Sequence, residues 1–316
     1  MKYFYLSSMI VLLLCSNAFA QENPAQENPA QENPSVQNSW DAIFDPYMLP
    51  YGSRPISSGC GVDADFRIVN YLSYESGDWG SINTDLERWQ LTAKFKAATP
   101  YGEFGIQIPF QVLWTGILDP PLNLLHGILG VGQSPVPALS EIRISLPGQA
   151  DRGVFSPVAG FGDPILSWGN NWEYGIWTRV ALGIPLGDSQ NFLGGGAWRI
   201  GFTVGYDATW GGIAIHVIIP LTDAPQLAGL GLRTSLGARV WARLPWNLPG
   251  KLEMVLQSSP VSVGGQFANL MWTLHIIIGE FGNTQFHFVE DITATLPDVV
   301  LGVNSSLPIP CPQLGR

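Results

Sequence analysis

The stretch RWQLTAKFKAATPYGEFGIQIPFQVLW, Arg88 to Trp114, decides the fold. Trp89, Leu91, Ala93, Phe95 and Ala97 alternate with Arg88, Gln90, Thr92, Lys94 and Lys96. A turn, Thr99-Pro100-Tyr101-Gly102, follows. Phe104, Ile106, Ile108, Phe110, Val112 and Trp114 then alternate with Glu103, Gly105, Gln107, Pro109 and Gln111. A period of two puts successive side chains on opposite faces of a strand. One face is aromatic and branched, the other charged or amide-bearing. Soluble sandwiches seldom sustain this pattern for ten residues in strand after strand. The pattern predicts an all-β chain, an antiparallel transmembrane β-barrel of about 12 strands, apolar side to lipid and polar side to the lumen.

The same alternation recurs along the chain. Val62, Ala64, Phe66 and Ile68 face outward and Asp63, Asp65 and Arg67 inward, before an expected loop at Ser76–Asn83. A long excursion from about Gly116 to Ala159 precedes a short strand at Gly162–Gly169, with Asp163 and Ser167 inward. Asn170-Asn171 reads as a tight turn, after which Glu173, Trp177 and Arg179 point in. A glycine-rich loop, Gly187–Gly196, leads to a strand with Arg199, Thr203 and Asp207 inward. Later strands turn Ala214 and His216, then Arg233, Ser235, Arg239 and Arg243, then Lys251, Glu253 and Gln257 inward. Asn269, Thr273, His275, Gln285 and His287 follow, and Asp298–Val303 reads as the last strand. Connections alternate short and long, as in barrels with short periplasmic turns and longer outer loops. Tyr101, Trp172, Trp210, Trp246 and Phe281 fall at the short-turn end, where an interfacial aromatic girdle belongs.

The flanks add an export route. Residues 1–20 read as a signal peptide, with Lys2, an apolar core and an Ala18-Phe19-Ala20 cleavage site. Residues 21–38 open with QENPA, QENPA, QENPS and read as a disordered leader, a spacer or a tether to a periplasmic partner. Residues 39–61 form an N-terminal segment placed to plug or brace the barrel from the periplasmic side. The barrel spans 62–304 and a tail 305–316. Cys60 and Cys311 bracket the strands, and an even strand count brings both ends to one rim. A disulfide between them is expected in an oxidising compartment, with two unpaired thiols as the alternative.

A formal net charge of −10 with no basic stripe argues against nucleic-acid binding. Parity sends Arg67, Arg88, Lys94, Lys96, Arg179, Arg199, Arg233, Arg239, Arg243 and Lys251 into the lumen. Asp63, Asp65, Glu103, Asp163, Glu173, Asp207 and Glu253 join them. Two readings stand: opposed side chains filling a narrow lumen with ion pairs, or a selective path whose arginines and lysines favour anions. Leu122, Leu125, Ile128 and Leu129 sit at helical spacing, so 116–138 is expected to carry a short helix, in the mouth or on the lipid surface. His126, His216, His275 and His287 lie in no nucleophile motif, and no metal-ligand spacing or cofactor loop accompanies them. The expectation is a non-enzyme without metal or cofactor, with a lipid-acting hydrolase as the minor alternative.

The segment TGILDPPLNLLHGILGVGQSP, with Asp119 and His126, precedes Gly160-Phe161-Gly162-Asp163-Pro164-Ile165-Leu166-Ser167. Together they resemble an uncharacterised family of Gram-negative outer-membrane barrels that carries a domain of unknown function. More loosely, the chain is similar to barrels proposed to take up aromatic compounds in phenol-degradation pathways. The resemblance supports an outer-membrane barrel and supplies no established function; passage or binding of a small molecule is expected from the barrel and its charged lumen. A closed structural barrel that presents its outer loops, or docks a periplasmic partner through its leader, is the alternative.

Overall fold

The computed structural model describes residues 54–309 apart from 78–79, 115–141, 146, 149, 225–230, 245–249, 259–260, 263–269, 282–283 and 292–298. Three long strands come first: β1 (Cys60–Gly77), β2 (Gly80–Thr99) and β3 (Gly102–Trp114). Three short ones follow, β4 (Ile142–Ser145), β5 (Arg152–Val154) and β6 (Val158–Phe161). Next come β7 (Ile165–Asn171), β8 (Ile176–Gly183), β9 (Arg199–Ala208) and β10 (Gly211–Pro220). The chain continues through β11 (Gly231–Leu232), β12 (Ser235–Arg243), β13 (Gly250–Ser258) and β14 (Val261–Ser262). It ends in β15 (Leu270–Phe281), β16 (Thr284–Asp291) and β17 (Val299–Ile309).

Every pairing is antiparallel. Around the ring run β1, β2, β3, β7, β8, β9, β10, β12, β13, β15, β16 and β17, each bonded to both neighbours. The ring closes where β17 returns to β1, Cys60 opposite Ile309 and Asn70 opposite Val299. Closure leaves no backbone edge in lipid, the condition for spanning by strands. Among the described residues no helix is long and apolar enough to cross a membrane.

The solvent exposure is inside out. Leu91, Phe95, Phe104, Phe161, Phe202, Val204, Ile215 and Leu236 are exposed, while Asp65, Arg88, Glu103, Arg199, Arg239 and Glu253 are buried. A water-soluble core would have the reverse. This is a transmembrane barrel with an apolar outer face, as the alternation predicts.

Three boundaries differ from the sequence reading. The expected loop at Ser76–Asn83 is too long: β1 extends to Gly77 and β2 starts at Gly80, and they pair from Cys60↔Ala97 to Gly77↔Gly80. Their 18 and 20 residues far exceed the ~9–11 a membrane crossing needs. The surplus projects beyond the rim, where β4 pairs with β2 and β5 with β4. Asn170-Asn171 is strand, paired with Thr178 and Trp177. The turn falls at Glu173–Gly175, where Tyr174 adopts φ 61. The last strand runs to Ile309, past the expected Val303. The helix expected in 116–138 lies outside the described residues.

Cys60 is disulfide-bonded. Its expected partner Cys311 lies outside the described residues, just past Ile309, which pairs with Cys60.

Candidate functional site

The barrel interior is where the polar faces converge. On the β1–β2 wall the strands are regular and the charges stand in rows. Asp65 accepts hydrogen bonds from Arg67 Nε at 3.2 Å and Lys94 Nζ at 3.1 Å. One step toward the short-turn rim, Lys96 Nζ lies 2.8 Å from Asp63. The donors come from i,i+2 and cross-strand neighbours, which period-two geometry always brings together. On β3, Glu103 lies 2.8 Å from Arg179 Nη2 of β8, close enough for an ion pair though not aligned as a hydrogen bond. Further round, Glu253 is 3.3 Å from Lys251 and 3.9 Å from Arg239.

The wall between β3 and β9 is built differently. β3 pairs with β7 up to Gln107↔Ile165 and with β6 from Phe110↔Phe161. Between them Gly162-Asp163-Pro164 interrupts the ladder. Pro109 and Pro164 have no N–H to give, so regular pairing cannot continue there. Gly162 N–H bonds Pro109 O at 2.9 Å, and Ile184 N–H bonds Pro164 O at 2.9 Å.

The break aims the Asp163 carboxylate at the glycine-rich loop between β8 and β9. Its Oδ1 accepts from Gly187 N–H at 2.9 Å. Its Oδ2 accepts from Gly195 N–H at 2.8 Å and Arg199 Nη2 at 2.6 Å. A charge-assisted bond of this kind is about twice as strong as a neutral one. The loop can come this close only without side chains: a Cβ on Gly194 would stand 2.5 Å from Asp163 Oδ1, and one on Gly187 2.8 Å from Gly162 C. Thus held, the loop turns Phe192 and Leu193 inward, 1% and 2% exposed. Phe192 O accepts from Arg88 Nη2 at 3.4 Å, on β2, beyond β8, β7 and β3 in the ring. Arg88 also sits over the Tyr71 ring at 5.4 Å. The loop therefore reaches across the interior.

Toward the short turns, tryptophans fill the space. Trp177 lies against Gly205 and Trp241 against Gly212, where an added Cβ would meet the rings at 2.1 and 2.2 Å. Trp177 and Trp241 cluster with Ala214, and Arg239 stacks over Trp241 at 4.5 Å. His287 covers Gly302 in the same manner. At these places side chains occupy the interior where glycine leaves room.

Of the residues that parity sends inward, Arg67, Arg88, Lys94, Glu103, Asp163, Arg179, Arg199, His216, Arg239, Glu253 and His287 are buried. Lys96, Asp207 and Arg233 are half-buried. Two expectations fail. Glu173 is exposed, because it belongs to the β7–β8 turn rather than to a strand. Arg243 is exposed because β12 ends there, at the rim. His275 pairs with Glu253 in the β13–β15 register. The latched loop was missed: the expected constriction was placed in 116–138, and Gly187–Gly196 read only as a connection. The signal that would have found it is a Gly-Asp-Pro interruption of a strand followed by a run rich in glycine.

No family model matches the chain, and no curated protein sequence matches it. Solved structures do resemble it at low identity. An outer-membrane channel from Pseudomonas putida F1 is 11% identical, covering 83% of this chain and all 100% of that one, with a TM-score of 0.49. A triple mutant of the Rhodopseudomonas blastica porin is 8% identical over 78% of this chain and 99% of its own, at 0.30. The Salmonella typhi porin OmpF in complex with daunomycin is 9% identical over 78% and 97%, at 0.31. The barrel rests on its own strand pairings. The family resemblance drawn from 115–135 and 160–167 finds no matching family model.

Proposed function

We propose that this barrel is an outer-membrane channel for a small molecule, closed at rest by its own interior loop. The long loops then face outward and the short turns face the periplasm, with the leader on the periplasmic side. The observation that carries the reading is the Asp163 latch, which stretches the glycine loop across the interior to Arg88. A second argument is energetic. Buried ion pairs stabilise a fold no better than apolar packing of the same volume, and often less well. Rows of arginine, lysine and carboxylate would line a polar path once the loop is released. Of the buried charges that strand parity turns inward, Arg67, Arg88, Lys94, Arg179, Arg199, Arg239 and Lys251 outnumber Asp63, Asp65, Glu103, Asp163 and Glu253, which favours passage of anions. No catalytic constellation enters this reading.

The test is single-channel recording in planar bilayers with Asp163→Asn. The neutral side chain weakens the hold on Gly187, Gly195 and Arg199 together. We expect more frequent openings than in the wild type, with a reversal potential that favours anions. A shortened loop lacking Ser189–Leu193 should behave likewise. If both variants fold, by heat-modifiable mobility on a gel, and both stay silent, the channel reading fails. The packed interior would then mark a closed structural barrel.

A further inference from the structure

The loop latch narrows one half of the interior; a separate set of contacts stands at the other end. Ahead of β1, the chain from Arg54 to Ser58 does not leave the barrel along its wall. It folds under the short-turn rim and touches the inner faces of β3 and β7. Ile56 N–H donates to Glu103 Oε2 at 2.7 Å, and Asn171 Nδ2 donates to Pro55 O at 2.6 Å. Arg54 Nε donates to Asn171 Oδ1 at 3.3 Å. Pro55 is buried on Gly169, where a Cβ would stand 2.6 Å from its Cγ. Glu103 is fully buried and paired with Arg179, so the acceptor lies inside the mouth and not on its outer edge.

We propose that Arg54–Ser58 is a movable strap across the short-turn mouth, limiting the width of the path that the latched loop opens and closes. The proposal rests on the channel reading above. Three features make this a strap rather than fixed wall. Its contacts are few and lie at one end, on Glu103, Asn171 and Gly169, while Ser57 and Ser58 are exposed. Its other end is fixed: Cys60 begins β1 and is disulfide-bonded, and Ala98 N–H holds Gly59 O at 2.9 Å. Between the two lies Gly59 at φ +86, a conformation side chains rarely adopt, with open space around it. A glycine hinge beside a fixed point lets five residues swing without disturbing the strand. No backbone ladder ties the strap to β3 or β7, so its release costs a few hydrogen bonds rather than a strand pairing.

The experiment uses the full-length protein with Asp163→Asn as background, so that the loop is released first. Deleting Arg54–Ser57 should raise the unitary conductance at least roughly twofold, because current follows the open cross-section. Gly169→Ala, which fills the slot that receives Pro55, should raise it in the same direction by less. An unchanged unitary conductance in both folded variants overturns the strap and leaves the channel standing. If Asp163→Asn alone is silent but the deletion in that background opens, the strap and not the loop closes the path: the strap stands, and closure by the latched loop falls. If Asp163→Asn and the double variant are both silent, the channel reading falls, and the strap with it.

Discussion

Two buried aspartates, Asp65 on the β1–β2 wall and Asp163 at the β6–β7 break, hold arginine in the same barrel and do different work. Asp65 binds Arg67 and Lys94, side chains of regular strands whose positions the ladder already fixes. Asp163 binds Arg199 and two backbone amides of a loop that no ladder fixes. Remove the carboxylate and the first site keeps its geometry but strands its cations. The second site strands Arg199 and loses its geometry as well. A buried charge among strands is thus a matter of stability; the same charge facing a loop is a matter of conformation too.

The comparison is sharpest in Asp65→Asn. Arg67 and Lys94 lose their shared carboxylate, and breaking a buried pair costs about 3–5 kcal/mol. Urea unfolding in liposomes should show that loss, with channel records unchanged from the wild type; new openings would break the distinction. Asp163→Asn should cost on unfolding about what Asp65→Asn does, about 3–5 kcal/mol, because buried Arg199 loses its carboxylate partner. What sets it apart is the conductance record. Cys60→Ser comes next, at about 2–4 kcal/mol if the bond closes the β1–β17 seam with Cys311 as we propose. Intact mass with and without reductant checks the bond itself, and no change in mass on reduction removes it. Gly205→Val should cost about 1–3 kcal/mol, because the branched side chain overlaps Trp177 in a filled interior. A neutral result there would mean that the tryptophan layer is loose.

Legibility in the sequence follows the same line. Wherever the backbone is a regular strand, side-chain parity is fixed by the pleat, so Arg67, Lys94, Glu103, Arg179, Arg239 and Glu253 were placed inside from spacing alone. The reading failed where the strand stopped. Glu173 and Arg243 kept the right parity on paper but sit in a turn and at a strand end. The loop at Ser76–Asn83 was read too long, because polar residues beyond the membrane no longer need to alternate.

The sequence by itself determined the barrel, its antiparallel hairpins, a ring of about twelve strands and the polarity of each face. These are properties of period two and turn spacing, which are local. Only the tertiary structure decided that Asp163 holds the glycine loop, that Phe192 reaches Arg88, that Trp177 and Trp241 fill the floor over Gly205 and Gly212, and that Pro55 docks on Gly169. Those contacts join residues far apart in the chain at places where the ladder is interrupted or a side chain is missing. Which partner fills such a gap depends on how the ring closes, and nothing local encodes it.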